Sequence, residues 1–231
     1  MVLFHLKDFF QCYTCTLNYN YMKINQAVIL AGGRGKRLRP ITDNIPKTMV
    51  KIHKEKPFIS YIIDQINSFG ISEIIIFTGY KSNLIKNYFK NNKQVSVIKN
   101  RNSLLTGSRL LENYHLLRNK FLLLYSDNYL NFNFKNYKSS YEYYSKKPLH
   151  LLVQHKSLAR EEGNILKQKN DLRYFSIRSK KCQYVEMGYM LFSKKILKYY
   201  YDNRIGNISL SKILENYIKP INTSIFLTKA K

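Results

Sequence analysis

The stretch QAVILAGGRGKRLRP, residues 26 to 40, ends an apolar run in three glycines interleaved with four cations. Gly32, Gly33 and Gly35 carry no Cβ, so the backbone can turn sharply there and bring its N–H groups against a ligand. Arg34, Lys36, Arg37 and Arg39 around that turn repel one another unless an anion is shared between them. Phosphate suits such a cradle, most of all where the loop leads into a helix. The spacing differs from two familiar phosphate loops. No G-K-[ST] stands where a P-loop needs it, and Leu38 occupies the place of the third glycine of the dinucleotide fingerprint. A carboxylate, Asp127, follows the apolar run FLLLYS. In an open α/β sheet ligands gather outside the carboxyl ends of the strands, so both features fall at one sheet edge.

The elements that must position these residues follow from periodicity. QAVIL, EIIIFTG, QVSVIKN and KFLLLYSDN read as buried strands. KPFISYIIDQINSFG, SNLIKNYFKNN and GSRLLENYHLLRN read as the helices between them, the first opened by Pro57 and stopped by Gly70. That cadence predicts an α/β fold, a Rossmann-like, mostly parallel sheet with helices on both faces in three α/β/α layers. After Pro148 the pattern changes to a strand LHLLVQH, a hairpin around REEGNILKQKNDLRYFS, a strand near 184 to 192, and two short helices, SKKILKYYY and SLSKILENYI. The domain is expected over residues 23 to 231, with residues 1 to 22 an extension outside it. Met22 offers a natural start.

The stretch LAGGRGKRLRPITDNIPKTMVKIHKEKPFISYIID resembles the signature of the sugar-1-phosphate nucleotidylyltransferases, which make nucleotide-diphospho-sugars. The pattern L-A-G-G-x-G-x-R-L-x-P-x-T-x-x-x-P-K is met at Leu30, Ala31, Gly32, Gly33, Gly35, Arg37, Leu38, Pro40, Thr42, Pro46 and Lys47, with Pro57 beyond. The likeness runs well over residues 24 to 130 and more weakly to the end. It implies the nucleotide-diphospho-sugar transferase fold and two substrates, a nucleoside triphosphate and a sugar 1-phosphate, with pyrophosphate released. By the same resemblance Arg37 holds the β- and γ-phosphates, Lys47 contacts the sugar phosphate and the transferred α-phosphoryl, and Asp127 holds Mg2+. The nucleotide is expected against Leu30, Ala31, Gly32, Gly33, Gly35, Arg37, Thr106 and Gly107. Of these, Thr106 and Gly107 lie in LLTGSRL, which is similar to the family's G-T-G-G-x-L loop.

Toward the sugar, YVEMGYMLF aligns with the family's N-x-G-x-Y segment, so Glu186, Gly188 and, from an earlier loop, Gly163 are the expected contacts. Glu186 replaces the usual Asn. The family's E-K-P sugar motif and a D-x-G second metal aspartate are absent, and the chain stops at NTSIFLTKAK where a further strand and helix are expected. The C-terminus is therefore expected to be incomplete. The likeness is greatest to guanylyltransferases acting on heptose or mannose 1-phosphate, enzymes that supply cell-surface polysaccharide or lipopolysaccharide. A cytidylyl-, uridylyl- or thymidylyltransferase on a hexose 1-phosphate, or a non-catalytic sugar-nucleotide-binding relative, are the alternatives.

Bulk composition narrows the other classes. The net charge of +25 and twenty tyrosines could signal a nucleic-acid binder. The tyrosines are scattered, however, and no RNP, KH or zinc-finger pattern occurs, so no nucleic-acid partner is expected. Abundant Lys, Asn, Ile and Tyr with no Trp match the coding bias of an AT-rich genome. No apolar run reaches the ~20 residues of a membrane span, so no membrane partner is expected. Cys12 and Cys15 form a C-x-x-C without the second pair that a zinc site needs, and Cys182 stands alone. The odd count and the lack of a secretory signature point to a reducing cytoplasm. The oligomeric state is not encoded in any recognisable motif. Deleting residues 1 to 21 is expected to leave the Tm unchanged, and a large loss in a thermal melt would put those residues inside the fold.

Overall fold

The sheet grows around one strand, β1 (Gln26–Ala31), every residue of which is buried. The computed structural model describes residues 24 to 52, 56 to 142 and 147 to 229; the expected extension and its C-x-x-C lie outside the described residues. A strand covered on both faces needs a continuous apolar run rather than an alternating one, and AVIL supplies it. On one side β1 pairs in parallel with β2 (Glu73–Thr78), which pairs in parallel with β3 (Val95–Lys99). On the other side β1 pairs in parallel with β4 (Lys120–Tyr125). The order reverses at β1, so the loops after β1 and β4 diverge and leave a crevice between them.

The helices sit on both faces, as the cadence predicts. α1 (Phe58–Ser68) buries Ile59, Ile62, Ile63 and Ile66 at the spacing of one helical stripe. It packs with α2 (Ser82–Tyr88) and α4 (Phe134–Ser140) over Ile29, Ile74 and Leu122. α3 (Thr106–Glu112), α6 (Lys195–Asp202) and α7 (Leu210–Tyr217) cover the opposite face over Val28, Phe77 and Leu123. α3 is shorter than the run GSRLLENYHLLRN predicts. Asn113 donates its side-chain amide to the Arg109 carbonyl at 2.8 Å, and this local bond takes the acceptor that a further helical turn needs.

The second half of the sheet is mixed. β8 (Tyr184–Ser193) runs antiparallel between β4 and β5 (Leu149–His155), and β9 (Thr223–Leu227) joins β5 in parallel. The expected hairpin is β6 (Gly163–Gln168) with β7 (Asp171–Ser179), attached to β8 through Ile165 and Tyr184. A four-residue helix, α5 (Lys156–Ala159), leads from β5 toward it.

The C-terminal segment is bound into this frame. α7 buries Leu210, Ile213 and Leu214 completely, and Thr106 Oγ1 accepts the Leu210 N–H at 2.8 Å. Ser108 exchanges bonds with Ile208, its N–H reaching the Ile208 carbonyl at 3.0 Å and its Oγ accepting the Ile208 N–H at 2.7 Å. A Leu214→Ala variant should lose about 2–5 kcal/mol of stability in denaturant melts. A chain cut before Ser209 should lose cooperative unfolding altogether, and an unchanged Tm in either would contradict this packing.

Candidate active site

The loop after β1 does not enter a helix. Among the described residues three single-turn 3-10 segments follow, Lys36–Leu38, Ile41–Asp43 and Lys47–Met49, and α1 begins only at Phe58. Pro40 and Pro46 remove two backbone donors from this stretch and keep it from propagating as an α-helix. Gly35 has φ +63, a conformation that a side chain disfavours. A Cβ there would stand 3.0 Å from Lys47 Cβ and 3.1 Å from Thr42 Cγ2. Thr42 Oγ1 donates to the Gly35 carbonyl at 2.8 Å and ties the turn shut. The glycine therefore lets Lys47 close on the loop.

Opposite, the β1–β4 ladder runs one residue past β4, with the Ser126 N–H reaching the Leu30 carbonyl at 3.3 Å. Asp127 comes next. Lys47 Nζ meets Asp127 Oδ2 at 2.8 Å, and both side chains are 41% exposed. This pair joins the two motifs that the sequence carries eighty residues apart.

Two cavities meet at Asp127. The first, of about 590 Å³, is lined by residues 30 to 38, Lys47, Thr48, Asn102, Leu104 to Thr106, Arg109 and Tyr125 to Asp127. Among the described residues Asp127 is its single acidic lining residue, against the cations Arg34, Lys36, Arg37, Lys47 and Arg109. Such a cavity favours a polyanion. The second, of about 630 Å³, runs from Asp127 past Asn128, Gln154, Arg160, Glu161, Arg178 and Glu186.

Most of the expected residues come together. Leu30, Ala31, Gly32, Gly33, Gly35, Arg37 and Thr106 line the first cavity with Lys47 and Asp127. Gly107 does not reach it. A Cβ there would stand 2.7 Å from Ile213 Cδ1 and 2.8 Å from the Ile208 carbonyl oxygen, so this glycine serves the packing of α3 on α7. The N-terminal amides of α3 are likewise partly spent on protein: Leu105 donates to Asn207 Oδ1 and Ser108 to Ile208. Gly163 is buried against Cys182 and Tyr184 rather than lining the second cavity. Gly188, at φ +78, has no room for a Cβ beside the Asn128 amide.

Glu186 is the buried acid of the second cavity, beside the exposed Asp127 and Glu161. Its backbone N–H donates to Asn164 Oδ1 at 2.9 Å, and its carboxylate accepts the Gly188 N–H. Burial pushes its carboxyl up to about 7, while the Gly188 N–H and the charge of Arg178 pull the other way. Arg178 is itself paired with Glu161. A carboxyl poised near neutrality can both accept from and donate to hydroxyl groups. Arg109, Asn128 and Asn164 were not anticipated. The one hint for Arg109 was its place inside the apolar run of a helix, RLL, where a charged residue is out of keeping.

Among the described residues no three His, Cys, Asp or Glu side chains come together. A single carboxylate beside a phosphate cradle nonetheless fits Mg2+, which is commonly held by one or two carboxylates and the substrate's own phosphates.

The profile of the nucleotidyl transferase family matches residues 26–229. A D-glycero-alpha-D-manno-heptose 1-phosphate guanylyltransferase of Campylobacter jejuni is 34% identical over 116 residues, 49% of this chain and 52% of that protein. The protein of the same description from Aneurinibacillus thermoaerophilus is 47% identical over 66 residues, 29% of this chain and 28% of that protein. The chain thus spans about half, or less, of the length of these curated relatives. HddC from Yersinia pseudotuberculosis complexed with GMP-PN superposes with a TM-score of 0.73 at 24% identity, covering 90% of this chain and 92% of that one. The inositol-1-phosphate CTP transferase from T. maritima does so with a TM-score of 0.72 at 17% identity, over 90% and 87%. At these identities the superpositions establish the shared fold.

The raised carboxyl of Glu186 has a measurable consequence. Because its folded value lies above the unfolded one, the native state holds a proton that the unfolded chain releases. Its contribution is complete below about pH 4.5 and is lost as pH rises through about 7. Glu186→Gln should abolish that loss and gain roughly 3 kcal/mol on the wild type at pH 8. Melts of both proteins from pH 4 to 8 test it, since His150, whose burial lowers its value to about 4, acts equally in both. Parallel curves would show that Glu186 titrates normally.

Proposed function

The chain belongs to the nucleotidyl transferase family, and from that premise we propose that it joins a nucleoside triphosphate to a sugar 1-phosphate with release of pyrophosphate. The Lys47–Asp127 pair at the shared rim of the two cavities carries this reading. The cationic cavity suits the triphosphate, and the cavity containing Glu186 suits the polyhydroxylated sugar. The two substrates then meet where phosphate faces phosphate.

The reaction needs no general base, because a sugar phosphate is already anionic at neutral pH. One of its oxygens attacks the α-phosphorus, and the bond from that phosphorus to the bridging oxygen breaks as pyrophosphate takes the electron pair. The barrier is repulsion between anions and the need for in-line alignment, so fixed charges and positioning do most of the catalysis. Lys47, in the first cavity and paired with the Asp127 that both cavities share, screens the two phosphates from each other. Arg37 draws the β- and γ-phosphates along the glycine loop and neutralises the leaving group. The backbone N–H groups of residues 32 to 35 hold the phosphates without the flexibility of long side chains. Asp127 would hold Mg2+, which supplies further charge neutralisation at the phosphates when bound. Glu186 orients sugar hydroxyls.

The heptose 1-phosphate guanylyltransferases among the relatives favour GTP as the nucleotide and a heptose 1-phosphate as the sugar, and the reading extends to mannose 1-phosphate and to NDP-sugar supply for cell-surface polysaccharide. Such a role belongs in the cytoplasm, where triphosphates are made. Pyrophosphate release should be measured with a panel of triphosphates and sugar 1-phosphates, with and without magnesium. Arg37→Ala and Lys47→Ala should each lower kcat/KM by roughly 100-fold or more. Asp127→Asn should abolish magnesium-dependent turnover with the Tm within a few degrees, because its ion pair is half-exposed and contributes little to stability. Tight binding of nucleotide sugars without turnover would instead mark a regulatory relative.

A further inference from the structure

Arg109 is out of place for a merely structural arginine. Its residue is 3% exposed, yet it forms no ion pair among the described residues. Glu112, the carboxylate whose field reaches it, is paired with Arg101 at 2.6 Å instead. Burial accordingly lowers its value from the usual arginine range. Of its five N–H donors, one reaches protein among the described residues: Nη1 donates to the Thr78 carbonyl at 2.7 Å. The guanidinium packs against two glycines. A Cβ on Gly32 would fall 2.2 Å from Cζ, and one on Gly79 would fall 3.0 Å from both Nη1 and Nη2. Its remaining donors belong to a side chain that lines the cationic cavity. Those donors are open to solvent at the cavity wall, so a ligand there can accept from them.

The position in the sheet says which part of the ligand this is. β1 lies between β2 and β4. Thr78 ends β2, while Asp127, with Lys47 attached, follows β4. The guanidinium lies over the end of β1 and reaches toward β2, whereas the Lys47–Asp127 pair stands on the β4 side. The exposed cations of the glycine loop already serve the phosphates. Leu104 and Leu105 line the same cavity as Arg109 and offer an apolar wall for a flat ring. We propose that Arg109 selects the nucleobase, donating to a carbonyl oxygen and an adjacent unprotonated ring nitrogen on one edge of the base. Guanine presents that pair as O6 and N7, and cytosine presents it as O2 and N3. Adenine has an amino donor beside N7, and uracil has a protonated N3 beside each carbonyl, so both mismatch an all-donor fork.

This inference rests on the nucleotidyl transfer proposed above. Its test is equilibrium binding of GTP, CTP, ATP and UTP to the wild type and to the Arg109→Lys and Arg109→Met variants. The wild type should bind GTP or CTP about 10-fold or more tightly than ATP and UTP. Both variants should bring that ratio close to one, because Lys lacks the planar fork and Met lacks donors. A residue that only braced the loops would weaken all four triphosphates together and leave the ratio intact. Wild-type binding of 7-deaza-GTP and 3-deaza-CTP covers the case of variants that do not fold. The analogue of the preferred base should lose about 10-fold. Preference for GTP keeps the guanylyl reading, and preference for CTP replaces it while leaving Arg109 in its role. Equal binding of all four triphosphates, a ratio unchanged in the variants, or an undiminished deaza analogue overturns the role of Arg109 alone. No binding by any triphosphate overturns the proposed function and this inference with it.

Discussion

Parallel pairing of β1 with β4 is the constraint on which the site depends. Leu30 stands opposite Tyr125, and the ladder continues to Ser126. That register sets the glycine loop and Asp127 beside each other without any long side chain reaching for the other. A slip of one residue would exchange the side chains that β4 packs into its two covered faces and move Asp127 out of step with the glycine loop. Complete burial of β1 and of Phe121 to Leu124 makes such a slip prohibitive. The precision of the site is thus borrowed from the hydrophobic core beneath it.

Charge is divided across that frame. The half of the crevice along the glycine loop holds five lining cations against one acid, an arrangement that repels itself until phosphate enters. The other half offsets Arg178 with Glu161 and keeps Glu186 close to neutral by burial. One half therefore attracts an anion and the other accommodates hydroxyl groups, with Lys47 and Asp127 where the halves join. That division matches a reaction in which two phosphates must be pressed together while a neutral sugar is held nearby.

The C-terminal third contributes without lining the cationic cavity. Thr106 and Ser108 are held by Leu210 and Ile208, and Leu105 by Asn207, so the wall that carries Arg109 is braced from about a hundred residues downstream. Here the glycine of LLTGSRL has a steric reason, since Ile208 and Ile213 occupy the volume a side chain would need.

Much of this was legible in the sequence. Local periodicity is a property of neighbouring residues, so the four parallel-half strands, α1, the hairpin and both C-terminal helices could be read directly, and the density of glycine, arginine and lysine after β1 marked the phosphate loop. The residues Arg37, Lys47 and Asp127 were legible because they sit in short patterns of fixed spacing. Long-range partnership was not. Periodicity does not say that β8 enters antiparallel between β4 and β5, that Asn113 shortens α3, or that Gly107 and Gly163 face protein rather than ligand. Nor does it reveal the environment of single polar groups. Glu186 is flagged by its segment and Arg109 by its apolar neighbours, but the burial of either is invisible in one dimension. The sequence by itself determined the strands and the glycine-rich loop with its neighbouring cations, whereas tertiary structure alone decided the two burials, since a desolvated charge is defined by what other segments pack around it.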